Sequence, residues 1–336
     1  MQKLLTGIGA LLALVVIVGL SMPRYSRIEV STTIDANPAT VFALINDFRR
    51  VSLWSPVTNA DPNARIVYSG PPRGVGAIMT WDGVVAGSGV QTIVESTPFQ
   101  QVAVITNPGE PAETRSSFDI ARSTAGSEVT WRYESDAGYN IVGRMLALMV
   151  RDIFRRDFER ALTKLREIAE SLPRADFSDI EIEHLVVEAM DIAYLSTTSI
   201  PEPAAMSETM GDAYFDILNF IDEHGLAEAG APLSIMRSFS GSNLVFDAAI
   251  PFRGLSPDTP TEAGKVRIGE TYGGPVIRVK HVGSYRELSD THLKIASYLT
   301  ASGIEQSGAA WESYASDPTK VAKDELVTYI FYPIVP

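Results

Sequence analysis

The sequence predicts an α+β protein built from two globular modules that follow one apolar amino-terminal segment. Residues 4–22 carry no charge, and residues 26–171 have the pattern of a strand, short helices, several short strands and a long helix. Residues 180–336 contain a strand-helix-strand-strand order twice. A chain of 336 residues has room for two such modules, because domains commonly contain about 100–200 residues.

The negative charge of the chain is concentrated in its second half. The formal net charge is −13, yet residues 24–172 carry 16 basic and 17 acidic side chains, whereas residues 173–336 carry 11 and 24. This balance predicts no nucleic-acid partner, because phosphate contacts need clustered Lys and Arg. The chain contains no cysteine, which excludes disulfides, thiolate catalysis and cysteine metal sites.

The apolar segment predicts a single transmembrane helix within residues 1–24. The 19 residues from Leu4 to Met22 would span about 28 Å as a helix, close to the thickness of the hydrocarbon core. The alternatives are a cleaved signal peptide and a buried helix, although the signal would have a poor cleavage site at 19–21. The short amino-terminal tail favours a membrane protein whose globular part is extracytoplasmic.

The first module begins with a strand whose apolar side chains alternate between residues 28 and 33. Asn37 and Pro38 then predict a helix start, and a second short helix is expected over 48–54. Turn residues separate further short strands. These strands are predicted at 64–68, 77–81, 89–95, 101–106, 114–121 and 128–133. A long amphipathic helix is expected over 142–171.

This order of elements resembles the SRPBCC superfamily (START-like, polyketide cyclase/dehydrase). The motifs that carry the resemblance are IDANP at 34–38 followed by VF at 41–42, Asp47, and WSP at 54–56. The resemblance implies a helix-grip domain over 26–171, in which a curved sheet wraps the last helix around an apolar cavity. Its candidate lining residues are Trp54, Trp81, Phe118, Trp131, Tyr133, Met145 and Met149. The alternative is that these side chains fill a core.

A polar linker is predicted at 172–179, and the second module repeats its element order after it. The first repeat is a strand over 181–198, a helix over 206–224 and strands at 233–239 and 243–251. The second is a strand over 274–282, a helix over 285–302 and strands at 309–314 and 325–334. Such a duplication predicts a pseudo-twofold α+β domain with a ligand cleft between the repeats.

The second module resembles the GyrI-like small-molecule-binding domain, the effector-binding domain of multidrug regulators. The motifs are VKHVGSY at 279–285, WESY at 311–314 with DP at 317–318, and ELVTYI at 325–330 with YP at 332–333. The resemblance implies that Glu312 is a carboxylate inside an aromatic pocket. The candidate pocket walls are Tyr194, Tyr272, Tyr285, Trp311, Tyr314 and Tyr332. Alternatively, Glu312 pairs internally with Arg278 or Lys280.

These patterns predict a membrane-anchored small-molecule binding protein that acts as a sensor, carrier or sequestering protein. Its ligands would be hydrophobic or cationic, since a buried carboxylate is costly without a positive partner. No cofactor is expected, and the four histidines lack the spacing of metal ligands. The alternatives are a hydrolase that uses Glu312, a cyclase or dehydratase, and a regulator that acts through a partner protein.

Overall fold

The computed structural model describes residue 19 and residues 21–110, 113–200, 202–240 and 242–336. The described residues divide into two compact units. One contains the residues up to Ser178 together with Thr300–Gly303, and the other contains Asp179–Leu299 and Ile304–Pro336.

The predicted transmembrane helix falls mainly on residues 1–18 and 20, which lie outside the described residues. Among the residues that are described, no helix combines the length and the apolar character needed to cross a membrane.

From Tyr25 onward, the described residues of the first unit form a seven-stranded antiparallel sheet with three short helices and one long helix. Its strands are β1 (Tyr25–Ile34), β2 (Arg65–Ser69), β3 (Ile78–Gly83), β4 (Gly87–Thr97), β5 (Gln101–Thr106), β6 (Thr114–Ser123) and β7 (Gly126–Asp136). Its helices are α1 (Pro38–Ile45), α2 (Phe48–Val51), α3 (Pro56–Ala60) and α4 (Ile141–Ser171).

Consecutive strands of this sheet are neighbours, except that β1 pairs with β7 at the far edge. The chain leaves β1 through α1, which begins at Pro38 because proline suits the first helical position. The sequence suggested that Asn37 starts α1, but its side chain makes no capping hydrogen bond to the helix. Instead, Asn37 Nδ2 donates to the carbonyl of Arg174 at 2.6 Å. This bond ties the start of α1 to the segment after α4.

Aromatic rings fill the core between the sheet and α4. Trp131 stacks on Phe158 of α4 with ring centroids 4.1 Å apart, and Phe118 lies 4.8 Å from Trp131. Trp54 meets Phe118 and Trp131 edge-on and donates its indole N–H to the carbonyl of Leu44 at 3.1 Å. The carboxyl-terminal half of α4 faces this core with Phe158, Ala161, Leu162, Leu165 and Ala169.

The second unit contains a ten-stranded antiparallel sheet with two helices. Its strands are β8 (Ile182–Val187), β9 (Asp191–Ser199), β10 (Ala227–Glu228), β11 (Leu233–Phe239), β12 (Leu244–Arg253), β13 (Glu262–Ala263), β14 (Val266–Glu270), β15 (Gly274–Val282), β16 (Trp311–Tyr314) and β17 (Val327–Pro333). Its helices are α5 (Pro203–Glu223) and α6 (Leu288–Ser302), the latter preceded by a 3-10 turn at Tyr285–Glu287.

The order of strands in the second unit has internal symmetry. The central six run β9-β12-β11-β16-β17-β15, so each strand-helix-strand-strand repeat places its third strand between the other two. The repeats meet where β11 pairs with β16, with Ser234 opposite Glu312. The prediction of a mixed α+β chain with antiparallel sheets is confirmed, and the repeated order is seen in the sheet.

Two details of the second unit differ from the prediction. The expected strand over 181–198 is two strands, β8 and β9, because β8 pairs with β15 while β9 pairs with β12 and β14. Alternation alone could not show this change of partners. Strand β14 was not predicted at all; Arg267 and Glu270 interrupt its apolar pattern, and its pairing with β9 is what orders it.

We expect Trp131→Ala to lower the free energy of unfolding of the first unit by about 3–5 kcal/mol, because the change leaves a cavity between the sheet and α4. Met149→Ala, at an exposed position of α4, should cost less than about 0.5 kcal/mol. Calorimetry of both variants in detergent solution measures the difference. Equal losses in the two variants would mean that the packing of Trp131 does not stabilise the first unit.

Candidate functional site

Glu312 lies on the helix-covered face of the second sheet. Side chains alternate along β16, so Glu312 and Tyr314 lie on one face while Trp311 and Ser313 lie on the other. Tyr314 packs against the cluster that contains Leu288 and Ile295 of α6, whereas Trp311 belongs to a separate cluster. The position of Glu312 beside β11 places it where the two repeats meet.

The Glu312 carboxylate ends a chain of hydrogen bonds. Tyr314 donates its hydroxyl to Oε2, and His292 Nε2 lies 2.7 Å from Oε1. His292 Nδ1 in turn lies 2.8 Å from the Tyr332 hydroxyl. A neutral imidazole with its proton on Nε2 satisfies all of these groups, since Nε2 then donates to the carboxylate and Nδ1 accepts from Tyr332. Only 13% of the Glu312 side chain is exposed.

A cavity of about 930 Å³ opens in front of this carboxylate. Helix α5, the start of α6 and the loop after β16 form its walls. The apolar and aromatic walls are Met206, Met210, Tyr214, Tyr285, Leu288 and Tyr314, and the charged or ionisable groups are Glu312, His292, Arg286 and Asp317. Such a size suits a drug-sized ligand, because small-molecule pockets commonly enclose about 300–1,000 Å³.

Burial and the charge of Glu312 together keep the surrounding tyrosines protonated. Burial is the larger cause and the negative charge of Glu312 the second for Tyr314, whose pKa lies well above the usual value, and for Tyr332, whose pKa rises to about 12. The same two causes raise the pKa of Tyr214 and of Tyr285. The site therefore presents neutral phenols and aromatic faces around the Glu312 carboxylate.

The structure brings together part of the predicted binding set. Glu312, Tyr285 and Tyr314 line the cavity. Tyr332 is not in its wall, but its hydroxyl is hydrogen-bonded to His292, which is. The prediction that three further residues line the pocket is wrong, because they belong to a cluster on the opposite face of the sheet. These residues are Trp311, Tyr272 and Tyr194. Trp311 stacks on Phe331 at 4.8 Å and lies 6.3 Å from Tyr272 by ring centroids. Alternation along β16 turns Trp311 away from its neighbour Glu312.

The alternative prediction, in which Glu312 pairs with Arg278 or Lys280, is also wrong. Arg278 pairs with Glu183, the residue opposite it on β8. Arg278 and Lys280 share a face of β15 with Val276, which belongs to the cluster around Trp311. They therefore lie across the sheet from Glu312, whose partners are His292 and Tyr314.

Sequence reasoning missed the role of His292. The residue lies on α6 in line with Leu288, Ile295 and Leu299, spaced by three or four residues, so it interrupts an apolar helix face. A histidine in such a stripe was the available signal. Nothing in the sequence indicated that Asp317 and Met206 reach the same cavity. Among the described residues, no three His, Asp or Glu side chains form a group that could hold a metal ion.

The predicted lining of the first module is largely core. Trp54, Trp81, Phe118 and Trp131 are buried together in one cluster, and Tyr133 packs against it. Burial raises the pKa of Tyr133. The prediction that Met145 and Met149 line this cavity is wrong. Both are exposed on α4, because the helix directs Phe158 and Leu162 toward the sheet instead.

Comparison with known proteins finds a family to which the first unit is similar. Residues 26–170 match the family described as polyketide cyclase/dehydrase and lipid transport, which confirms the resemblance predicted for that module. No curated protein matches the chain.

Several solved structures share remote similarity with the chain. The EcmrR C-terminal domain is 12% identical over 47% of this chain and 98% of its own, with a TM-score of 0.39. A hydrolase from Listeria innocua is 16% identical over 46% of this chain and 92% of its own, with a TM-score of 0.34. EcmrR in a DNA complex is 14% identical over 58% of this chain and 71% of its own, with a TM-score of 0.38.

The raised tyrosine pKa values predict a loss of stability at alkaline pH. Tyr332 ionises near pH 10 when unfolded and near pH 12 when folded, so its contribution is complete below pH 10 and is lost as the pH rises to 12. The loss should amount to roughly 1–3 kcal/mol. The loss is measured as the difference in the free energy of unfolding of the second unit between pH 9 and pH 11.5.

Tyr332→Phe should reduce this alkaline loss, because phenylalanine has no hydroxyl to ionise. Tyr139→Phe, at an exposed position of the first unit, is the matched control and should leave the loss unchanged. If the wild type and Tyr332→Phe lose the same free energy of unfolding between pH 9 and pH 11.5, the ionisation of Tyr332 is not the cause of the loss.

Proposed function

We propose that the protein binds small amphipathic or cationic molecules in the cavity beside Glu312. The observation that carries the proposal is a nearly buried carboxylate in the wall of a large cavity whose other walls are mainly aromatic and apolar. A pocket of this kind, with a few convergent polar groups, is the usual form of a ligand site.

The chemistry of the walls favours a positive charge on the ligand. Removing a carboxylate from water is unfavourable unless a partner compensates, and the partners here are a neutral tyrosine and a histidine. A ligand cation would supply the missing charge. The faces of Tyr214, Tyr285 and Tyr314 would add cation–π attraction of about 0.5–2 kcal/mol. Asp317 also lies in the wall, but it pairs with Lys320 at 2.9 Å, so Glu312 is the wall carboxylate to which the proposal assigns the ligand cation.

The net charge of the second half supports the same ligand class. Residues 173–336 carry 24 acidic and 11 basic side chains, so cations would be concentrated near the cavity before they bind. The same charge argues against a nucleic-acid partner.

The first unit would offer a second, apolar site. The family that it matches is described as including lipid transport. Because the rings of Trp54, Phe118 and Trp131 pack against one another, an apolar ligand would have to displace them. Residues 4–22 would anchor the protein in a membrane with its globular part outside the cytoplasm. In that location it would act as a sensor, a carrier or a sequestering protein.

The test uses calorimetric titration of the full chain with tetraphenylphosphonium, a lipophilic cation with four phenyl rings around its charged centre. Glu312→Gln should weaken binding at least tenfold, which corresponds to about 1.4 kcal/mol, because the variant keeps the shape of the side chain and removes its charge. Tetraphenylmethane derivatives without charge should not distinguish the two proteins.

Glu305→Gln is the matched control, because it makes the same change of charge at an exposed residue outside the cavity walls. It should leave the affinity within twofold of the wild type. Equal affinity of the wild type and Glu312→Gln for the cation would overturn the role of the carboxylate.

A second candidate function is hydrolysis, and the contact of His292 with Glu312 is the observation that favours it. Glu312 would take a proton from a water molecule while the water oxygen bonds to a strained electrophilic carbon. The strained ring bond of that carbon breaks, and the atom that it leaves takes its electron pair and a proton from Tyr314. Tyr314 regains a proton from Glu312, to which its hydroxyl is hydrogen-bonded, so both groups return to their first state. His292 would orient the carboxylate.

If the protein is a hydrolase, a small epoxide or cyclopropane substrate should be consumed, and Glu312→Gln should reduce kcat by at least about 100-fold. His292→Gln should reduce kcat less and change its pH profile, since the side chain acts through Glu312. Product analysis by mass spectrometry checks both. Tight binding of such compounds without turnover would exclude this candidate.

A further inference from the structure

The first three turns of α4 have an unusual outward face. Val142, Leu146, Met149 and Ile153 are 63%, 51%, 69% and 50% exposed, and their spacing of three or four residues puts them on one stripe. The same stripe continues along the helix as Arg156, Arg160 and Glu167. The carboxyl-terminal half of α4 is therefore an ordinary amphipathic helix, whereas the amino-terminal half exposes apolar side chains to its surroundings.

The apolar amino-terminal segment ends at this part of α4. Gly19 lies so close to Ile141 that an added Cβ would be 2.1 Å from Ile141 Cγ2. The carbonyl of Met22 accepts a hydrogen bond from Arg144 Nη1 at 3.1 Å. The end of the apolar run over 4–22 is thereby fixed beside the first turn of α4.

We propose that the apolar stripe Val142–Ile153 of α4 lies in the surface of a lipid bilayer. This proposal goes beyond ligand binding and rests on the membrane anchoring proposed above for residues 4–22. A segment that enters the bilayer next to Ile141 brings the stripe to the membrane surface, and burial in the interface removes its apolar side chains from water.

The residues around the stripe suit an interface. Tyr25 and Tyr139, both exposed, are of the amphipathic type that is enriched at the level of lipid headgroups. Arg155 and Arg156 follow the stripe directly and would remain beside phosphate groups. The charged continuation of the outward face would then extend into water, so the stripe would be about 17 Å long at 1.5 Å per residue.

The absence of cysteine makes a direct test possible, because one substitution gives one labelling site. Val142→Cys, Met149→Cys and Glu167→Cys would each carry a nitroxide label in the full chain, reconstituted in vesicles of phosphatidylcholine with phosphatidylglycerol. Glu167→Cys is the matched control, because it lies on the same outward face about four turns beyond the stripe. Flotation of the vesicles first establishes that the protein is bound to them.

Labels at Val142→Cys and Met149→Cys should be several-fold more accessible to oxygen, which concentrates in lipid, than to a water-soluble nickel chelate. The label at Glu167→Cys should show the reverse. Equal access of the chelate at all three sites would overturn the proposal, since the stripe would then face water. Protection of the first two labels from both reagents would also overturn it, because protein would cover the stripe.

Failure of this proposal is distinguishable from failure of the proposed function. Flotation combined with water-exposed labels would overturn the bilayer contact and leave the anchor in place. Absence of flotation would overturn both the anchor and the contact. Neither result bears on ligand binding, which the titration of Glu312→Gln measures separately.

Discussion

The antiparallel pairing of β11 with β16 is the constraint on which the candidate site depends. It joins the two repeats of the second unit and fixes Glu312 opposite Ser234. Alternation along the four residues of β16 then sends Glu312 and Tyr314 to the side of the helices and Trp311 to the other side. A shift of one residue would exchange these faces and place an indole where the carboxylate lies.

The position of Glu312 determines the electrostatics of the whole cavity. Its charge contributes to the raised pKa of four tyrosines from three different parts of the chain, after burial as the larger cause. Those phenols remain neutral donors, and His292 bridges the carboxylate to Tyr332. The nearly buried Glu312 thus organises a site whose other walls are mainly aromatic or apolar, which is the basis for preferring cationic ligands over neutral ones.

The two units use their aromatic residues differently. In the first, Trp54, Phe118, Trp131 and Phe158 pack ring against ring and make a closed core. In the second, Tyr214, Tyr285 and Tyr314 border open space. Composition cannot separate these uses, because an aromatic side chain suits a core and a pocket wall equally well.

The sequence by itself determined most of the order of elements, the expectation of two modules and the acidic second half, because periodicity and turn residues are local signals. It also singled out Glu312, through the resemblance of the WESY motif at 311–314 to the GyrI-like domain. Tertiary structure alone decided that His292 contacts Glu312, that Asp317 lines the same cavity, and that Trp311, Tyr272 and Tyr194 lie elsewhere. It also decided that Met145 and Met149 are exposed. These outcomes depend on which strands pair and which helix face is covered, and both are set by contacts between residues far apart in the chain.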